Sequence, residues 1–161
     1  MGKEHDASLS DASPTSDRDP QAALESSQRF ISRPSAITDG WKGWQRGMAY
    51  LQLGDLDAAI ASFCAPGAYT KDDPEAGDRA NVAWFWSMIA ERRGEYDSAA
   101  VLLGFAAALS KKASVCLRAF DQRLVEASRT AVREALGENS YDELLERGAK
   151  IAWEDLPLIH S

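Results

Sequence analysis

Hydrophobic side chains recur at helical spacing in two neighbouring stretches of the chain, residues 44–51 and residues 56–63, with a glycine between them. Residues three or four positions apart share one face of a helix, so each stretch predicts an amphipathic helix. Gly54 suits the end of the first helix, and the carboxylate of Asp55 can cap the second. We therefore predict a helical hairpin over about residues 41–66.

The same pattern is repeated 40 residues further along the chain. The segment GDLDAAIASF begins at Gly54 and the segment GEYDSAAVLL begins at Gly94, and at this offset Trp44 matches Trp84. The second copy predicts a second hairpin over about residues 78–110. We expect both glycines to adopt the left-handed backbone conformation that reverses the chain just past a helix end.

The remaining residues predict a polar tail followed by one helical domain. Residues 1–18 contain few large apolar side chains, which predicts disorder, and the helical domain is expected over residues 19–161. It opens with a short helix near residue 19, and residues 35–40 are predicted to be a linker. After the second hairpin, two further helices are predicted over about residues 113–136 and 140–152.

The apolar pattern also predicts which face of the 113–136 helix is buried. We expect inward positions at Leu117, Phe120, Leu124, Ala127, Ala131 and Ala135. Gly137 is predicted to end this helix, and Ser140 to cap the next one.

Charge and length restrict the classes of partner. The chain carries 18 Lys and Arg against 25 Asp and Glu, a net charge of -7, so it has no general basic field for phosphates. It also contains no apolar run near the roughly 20 residues that span a bilayer. We expect no direct nucleic-acid partner, no membrane partner and a cytoplasmic location.

Candidate chemistry is sparse. The two cysteines, Cys64 and Cys116, form neither a zinc-binding set nor a disulfide framework, and the histidines, His5 and His160, lie near opposite ends of the chain. None of the usual arrangements of nucleophile, base or metal ligands is present. The sequence therefore predicts a protein without catalytic residues, metal or cofactor.

The duplicated unit resembles the tetratricopeptide repeat. The first copy places small, aromatic, turn, small and aromatic residues at Gly47, Tyr50, Gly54, Ala59 and Phe63. The second copy keeps Gly94 and Ala99 at matching places. The resemblance implies an all-α fold of stacked antiparallel hairpins, a tetratricopeptide-like α-solenoid fragment with a right-handed superhelix. The period of 40 residues exceeds the family's roughly 34, and we assign the excess to a loop over residues 72–77.

The second half of the chain, residues 96–151, is similar to the C-terminal repeat region of large bacterial ATP-binding transcriptional regulators of the LuxR/MalT-like or AfsR-like type. The matching residues are Ala100, Leu102, Leu103, Gly104, Ala106, Ala107, Leu109, Arg133, Leu136, Gly137, Tyr141 and Gly148. The phosphate-binding loop and the basic recognition helix of such regulators have no counterpart here. The resemblance implies a sensor or regulatory module, either a fragment of a larger regulator or a free-standing protein.

These observations predict a non-enzymatic module that binds a protein or peptide partner, or senses a small effector. The candidate binding residues are Trp41, Trp86, Arg79, Arg118 and Arg123. The two tryptophans fall off the main apolar stripe, and the arginines could grip an acidic peptide. The simpler interpretation is that the tryptophans pack the hairpins and the arginines lie on a solvated face. A small-molecule-binding domain, or an enzyme with a site between helices, is the alternative function.

Overall fold

In a computed structural model of the chain, the described residues are 20–21, 36–64, 76–114 and 119–156, and they are helical with no strand. The helices are α1 (Ala36–Leu53), α2 (Leu56–Phe63), α3 (Ala76–Arg92), α4 (Tyr96–Ala113), α5 (Ala119–Leu136), α6 (Glu138–Lys150) and a short 3₁₀ helix, Trp153–Asp155. The all-α prediction is thus confirmed. The predicted tail, most of the short first helix and residues 72–75 of the predicted 72–77 loop lie outside the described residues, whereas the last two positions of that loop already belong to α3.

Three predicted boundaries are wrong. The helix α1 already begins at Ala36, so most of the predicted 35–40 linker is helical; a single glycine inside a helix costs only about 1 kcal/mol relative to alanine. No helix starts at 113, because α4 runs on to Ala113 and ends at Ser114, whose φ is 53°. Ser140 does not cap α6, since Gly137 holds the N-cap position.

The two predicted hairpin turns have the same hydrogen bonds. In the first, the amide of Gly54 donates to the Leu51 carbonyl at 3.3 Å and that of Asp55 to the Tyr50 carbonyl at 3.0 Å. In the second, the amides of Gly94 and Glu95 donate to the carbonyls of Glu91 and Ala90, both at 2.9 Å. The φ angles of Gly54 and Gly94 are 79° and 75°, the left-handed conformation that the sequence predicts. Both turns are therefore Schellman motifs.

The buried face of α5 differs from the prediction. Its buried residues are Asp121, Val125, Ser128 and Val132. Ala127 and Ala135 are exposed, and Leu124 and Ala131 are half-buried; the side chains of Leu117 and Phe120 lie outside the described residues. The prediction assigned the buried face to the alanines, but alanine is also common at exposed positions. It left out Asp121 and Ser128, which are polar but buried.

Aromatic rings fill the junction between the first hairpin and α3. Phe63 and Phe85 stack with ring centroids 4.0 Å apart and planes inclined by 7°. Trp44 lies 5.5 Å from Phe63 and 6.3 Å from Phe85, in tilted geometry. All three side chains are buried. Such ring pairs add to the hydrophobic stabilisation that burial of their area already gives.

The crossing of α4 and α6 is built on two glycines and brings the helix backbones into contact. A Cβ atom on Gly104 would lie 2.9 Å from Leu145 Cα and closer to its carbonyl. A Cβ on Gly148 would likewise lie 3.0 Å from Val101 Cα. Because only glycine leaves this space empty, the two helices approach without intervening side chains. The packing of α6 on α4 is more extensive than its packing on α5.

Candidate functional site

Three of the predicted binding residues have described side chains, and they differ in exposure. Trp86 is 9% exposed and makes an edge contact with Phe85 at 6.1 Å. Arg79 is half-buried, and Arg123 on α5 is exposed. The side chains of Trp41 and Arg118 lie outside the described residues. Trp86 therefore has a packing role in α3, which leaves Arg79 and Arg123 as the solvent-accessible members of the set among the described side chains.

Arg79 contacts a segment that sequence reasoning did not place. Its guanidinium lies over the ring of Trp153, 5.6 Å from the centroid, and that ring is 5.9 Å from Phe105 of α4. A few residues on, Leu156 is buried. Residues 151–156 thus return from α6 across α3 and α4 and are held there by aromatic, cation–π and apolar contacts. The signal that could have found this segment was a large aromatic residue just after the last helix.

A cleft of about 180 Å³ opens where the start of α4 faces the end of α6 and residues 151–156. Its lining residues are Asp97, Ser98, Val101, Leu144, Arg147, Ile151 and Asp155. Val101 is buried, Leu144 and Ile151 are half-buried, and the three charged residues are exposed. The cleft adjoins the glycine crossing, because Val101 is the residue whose backbone Gly148 contacts. It therefore combines an apolar base with carboxylate and guanidinium groups at its rim.

A buried polar contact joins the first helix to α5. Trp44 Nε1 donates a hydrogen bond to Asp121 Oδ2 at 3.3 Å, and Asp121 is only 3% exposed. A buried carboxylate requires hydrogen bonds to offset its loss of hydration, and its place in the first turn of α5 also gives it a favourable helix dipole. The prediction that Trp44 packs the hairpin agrees with its burial. The hydropathy pattern gave no signal for Asp121.

Two titratable side chains have pKa values shifted by burial. Cys64, an exposed free thiol at the end of α2, has its pKa raised by partial desolvation. Desolvation also raises the pKa of Tyr141, opposed by the charges of Arg129 and Arg133; the latter guanidinium lies 4.9 Å from its ring centroid. The nearby Glu126 carboxylate also raises the pKa of Tyr141, to a smaller extent than desolvation does.

Neither a candidate metal-binding cluster nor a helix able to cross a membrane is found in the described parts of the chain. No group of three or more His, Cys, Asp or Glu residues there is arranged to hold a metal ion. None of the helices in those ranges is both long and apolar enough to cross a membrane.

Known proteins give no match to this chain. No protein-family model matches it, and neither a curated protein nor a solved structure does. The resemblances to the tetratricopeptide repeat and to the regulators therefore depend on the residues alone.

Proposed function

We propose that this chain is a non-enzymatic, tetratricopeptide-like repeat module of the cytoplasm, which binds a protein or peptide partner or senses a small effector. The observation that carries the proposal is the pair of matching turns at Gly54 and Gly94, which have the same hydrogen-bond pattern. A repeated hairpin buries its apolar face against the neighbouring repeat. Its outer surface is then free to present side chains to a partner.

The small residues of the repeat support this assignment. A Cβ on Gly47 would lie 3.2 Å from the Phe85 ring and 3.3 Å from the Ala59 carbonyl, so this position needs a small residue where three helices meet. Ala59 and Ala99, at equivalent places in the two copies, are both fully buried. Small residues at close helix crossings, with aromatic rings beside them, are the packing on which the repeat depends.

The exposed side chains favour polar recognition. Among the residues whose side chains the structure describes, Leu53 is the one large hydrophobic residue that is exposed, at 49%. An apolar docking patch is therefore not part of the proposal, and we propose that charged and polar side chains select the partner. The net charge of -7 favours a basic partner segment, since complementary charge accelerates association, whereas the acidic peptide considered above would depend on local contacts with Arg79 and Arg123.

The resemblance of residues 96–151 to ATP-binding regulators extends the proposal to a sensor or regulatory role. Under this proposal the module contributes contacts, whereas ATP hydrolysis and DNA binding belong to other domains or proteins. The alternative, a small-molecule-binding domain or an enzyme with a site between helices, is favoured by one specific observation, the cleft between α4 and α6.

The test is capture of a partner followed by reconstitution from purified components. The full chain is immobilised, partners from the native cytoplasm are identified, and each is then titrated against the purified chain at several salt concentrations. We expect one partner to bind directly, with an affinity that falls as salt rises. A purified chain that binds no captured protein, yet converts a small molecule with turnover, would overturn the proposal in favour of the enzyme.

A further inference from the structure

The charged groups around the cleft between α4 and α6 are arranged without pairing to one another. Arg147 lines the cleft together with Asp97 and Asp155, but no ion pair within 4.0 Å joins these described residues. Ion pairs do form elsewhere on the same helix, as between Lys150 and Glu146 at 3.7 Å. One cation and two anions therefore face a common space with their hydrogen-bonding capacity open to a ligand.

Each charged group selects a complementary ligand group. A guanidinium has a fixed fork of donors that binds a carboxylate through two parallel hydrogen bonds. The carboxylates of Asp97 and Asp155 can accept hydrogen bonds from an ammonium group. A ligand that carries both an ammonium and a carboxylate satisfies both signs of charge at once, whereas a purely anionic or purely cationic ligand meets a like charge at the rim.

The base of the cleft and its size restrict the ligand further. Leu144 and Ile151, both half-buried, offer aliphatic surface beside the buried Val101, which favours an aliphatic side chain. The cleft has a volume of about 180 Å³. This is below the range of about 300–1,000 Å³ for sites that hold drug-sized ligands, and it suits a molecule the size of one amino acid.

We infer that this cleft binds a free α-amino acid with an aliphatic side chain, its carboxylate on Arg147 and its ammonium between Asp97 and Asp155. This ligand class would be the small effector of the proposed function, and the inference rests on that function. Two lining residues, Ile151 and Asp155, belong to the segment that Trp153 and Leu156 hold against α3 and α4. A bound amino acid therefore also stabilises the fold of that C-terminal segment.

The experiment is a titration of the full chain with L-leucine, L-isoleucine and L-valine, followed by calorimetry and by thermal unfolding. Leucinamide, which lacks the carboxylate, and 4-methylpentanoate, which lacks the ammonium, are the matched ligands. We expect at least one of the three amino acids to bind, and both truncated ligands to bind at least tenfold more weakly. If none of the three amino acids binds or raises the melting temperature, the inference is overturned.

Variants locate the binding. Arg147→Gln should weaken the binding of the amino acid at least tenfold. Asp155→Asn should also weaken the binding of the amino acid, but the affinity for 4-methylpentanoate should stay unchanged or rise. Arg92→Gln, at the end of α3 and outside the cleft, is the matched control and should bind as the parent does. Binding that Arg147→Gln leaves unaltered would refute this site. Neither negative result affects the capture of a protein partner, so failure here is distinguishable from failure of the proposed function.

Discussion

The helices at the two ends of this fold pack in opposite ways, by large side chains at one end and by glycines at the other. At the junction of the first hairpin with α3, Trp44, Phe63 and Phe85 fill the space between helices with stacked and tilted rings. At the crossing of α4 and α6, Gly104 and Gly148 remove the side chains and let the backbones touch. Rings can shift and repack, whereas a backbone carbonyl in a helix cannot. The comparison teaches that the glycine crossing should tolerate far less change.

The largest expected effect is at the crossing. Gly148→Val should destabilise the protein by about 4 kcal/mol or more, because its branched side chain would overlap the Val101 backbone. The measurement is denaturant unfolding followed by circular dichroism. The neighbouring exposed residue is the control: Ala149→Val should cost less than about 1 kcal/mol. Similar losses for the two variants would mean that α6 does not touch α4 at Gly148.

The aromatic junction should respond next most strongly. Phe63→Ala deletes a fully buried ring that stacks on Phe85, and it should cost about 3–4 kcal/mol of unfolding free energy. Phe63→Leu keeps most of the volume and should recover more than half of that loss. The same denaturant melts measure both. Equal destabilisation by Ala and Leu would indicate that volume does not control this junction.

Backbone strain at the repeated turn gives an intermediate effect. Gly94→Val should cost about 1–3 kcal/mol, because φ is 75° and a branched residue is strained there. Apart from Gly94 and its two chain neighbours, no heavy atom lies within 4 Å of a Cβ at this position, so the cost is conformational and not steric. Gly94→Asn should therefore cost less than about 1 kcal/mol, since asparagine adopts left-handed conformations more readily. An Asn variant as unstable as the Val variant would contradict this explanation.

The smallest expected effect concerns the N-caps of the helices that follow the two turns, because only the first of these caps has a side-chain hydrogen bond. Asp55 Oδ1 accepts a hydrogen bond from the Ala58 amide at 3.0 Å, whereas Glu95 makes no side-chain cap bond. Asp55→Ala should cost about 1 kcal/mol, and Glu95→Ala should stay within about 0.5 kcal/mol of the parent. Urea melts can resolve the difference. A larger loss for Glu95→Ala would mean that the second helix start is capped in solution.

Features that depend on residues close together in the sequence could be predicted from it. Gly54 and Gly94 each follow a helical stripe and precede an acidic residue, so their turn conformation could be read directly. The turns depend on the glycine backbone alone, which is why the prediction held. The all-helical fold followed from the same periodicity.

Features that depend on tertiary contacts could not be predicted. The buried face of α5 contains Asp121 and Ser128, and no hydropathy pattern selects polar residues for burial. The segment with Trp153 has no helical period, so its return across α4 had no local signal. The cleft combines residues about 50 positions apart, from Asp97 to Arg147, which come together only through the glycine crossing.

One matched pair of variants tests the contrast between the two junctions most directly. Alanine at Gly47 would meet the Phe85 ring and the Ala59 carbonyl at 3.2 and 3.3 Å, whereas alanine at Gly104 would overlap the Leu145 backbone. Both glycines are helical, so both variants gain about 1 kcal/mol of helix propensity. We predict, from denaturant melts, that Gly47→Ala stays within about 1 kcal/mol of the parent and Gly104→Ala loses at least about 2 kcal/mol. Equal stabilities for the two variants would contradict the account.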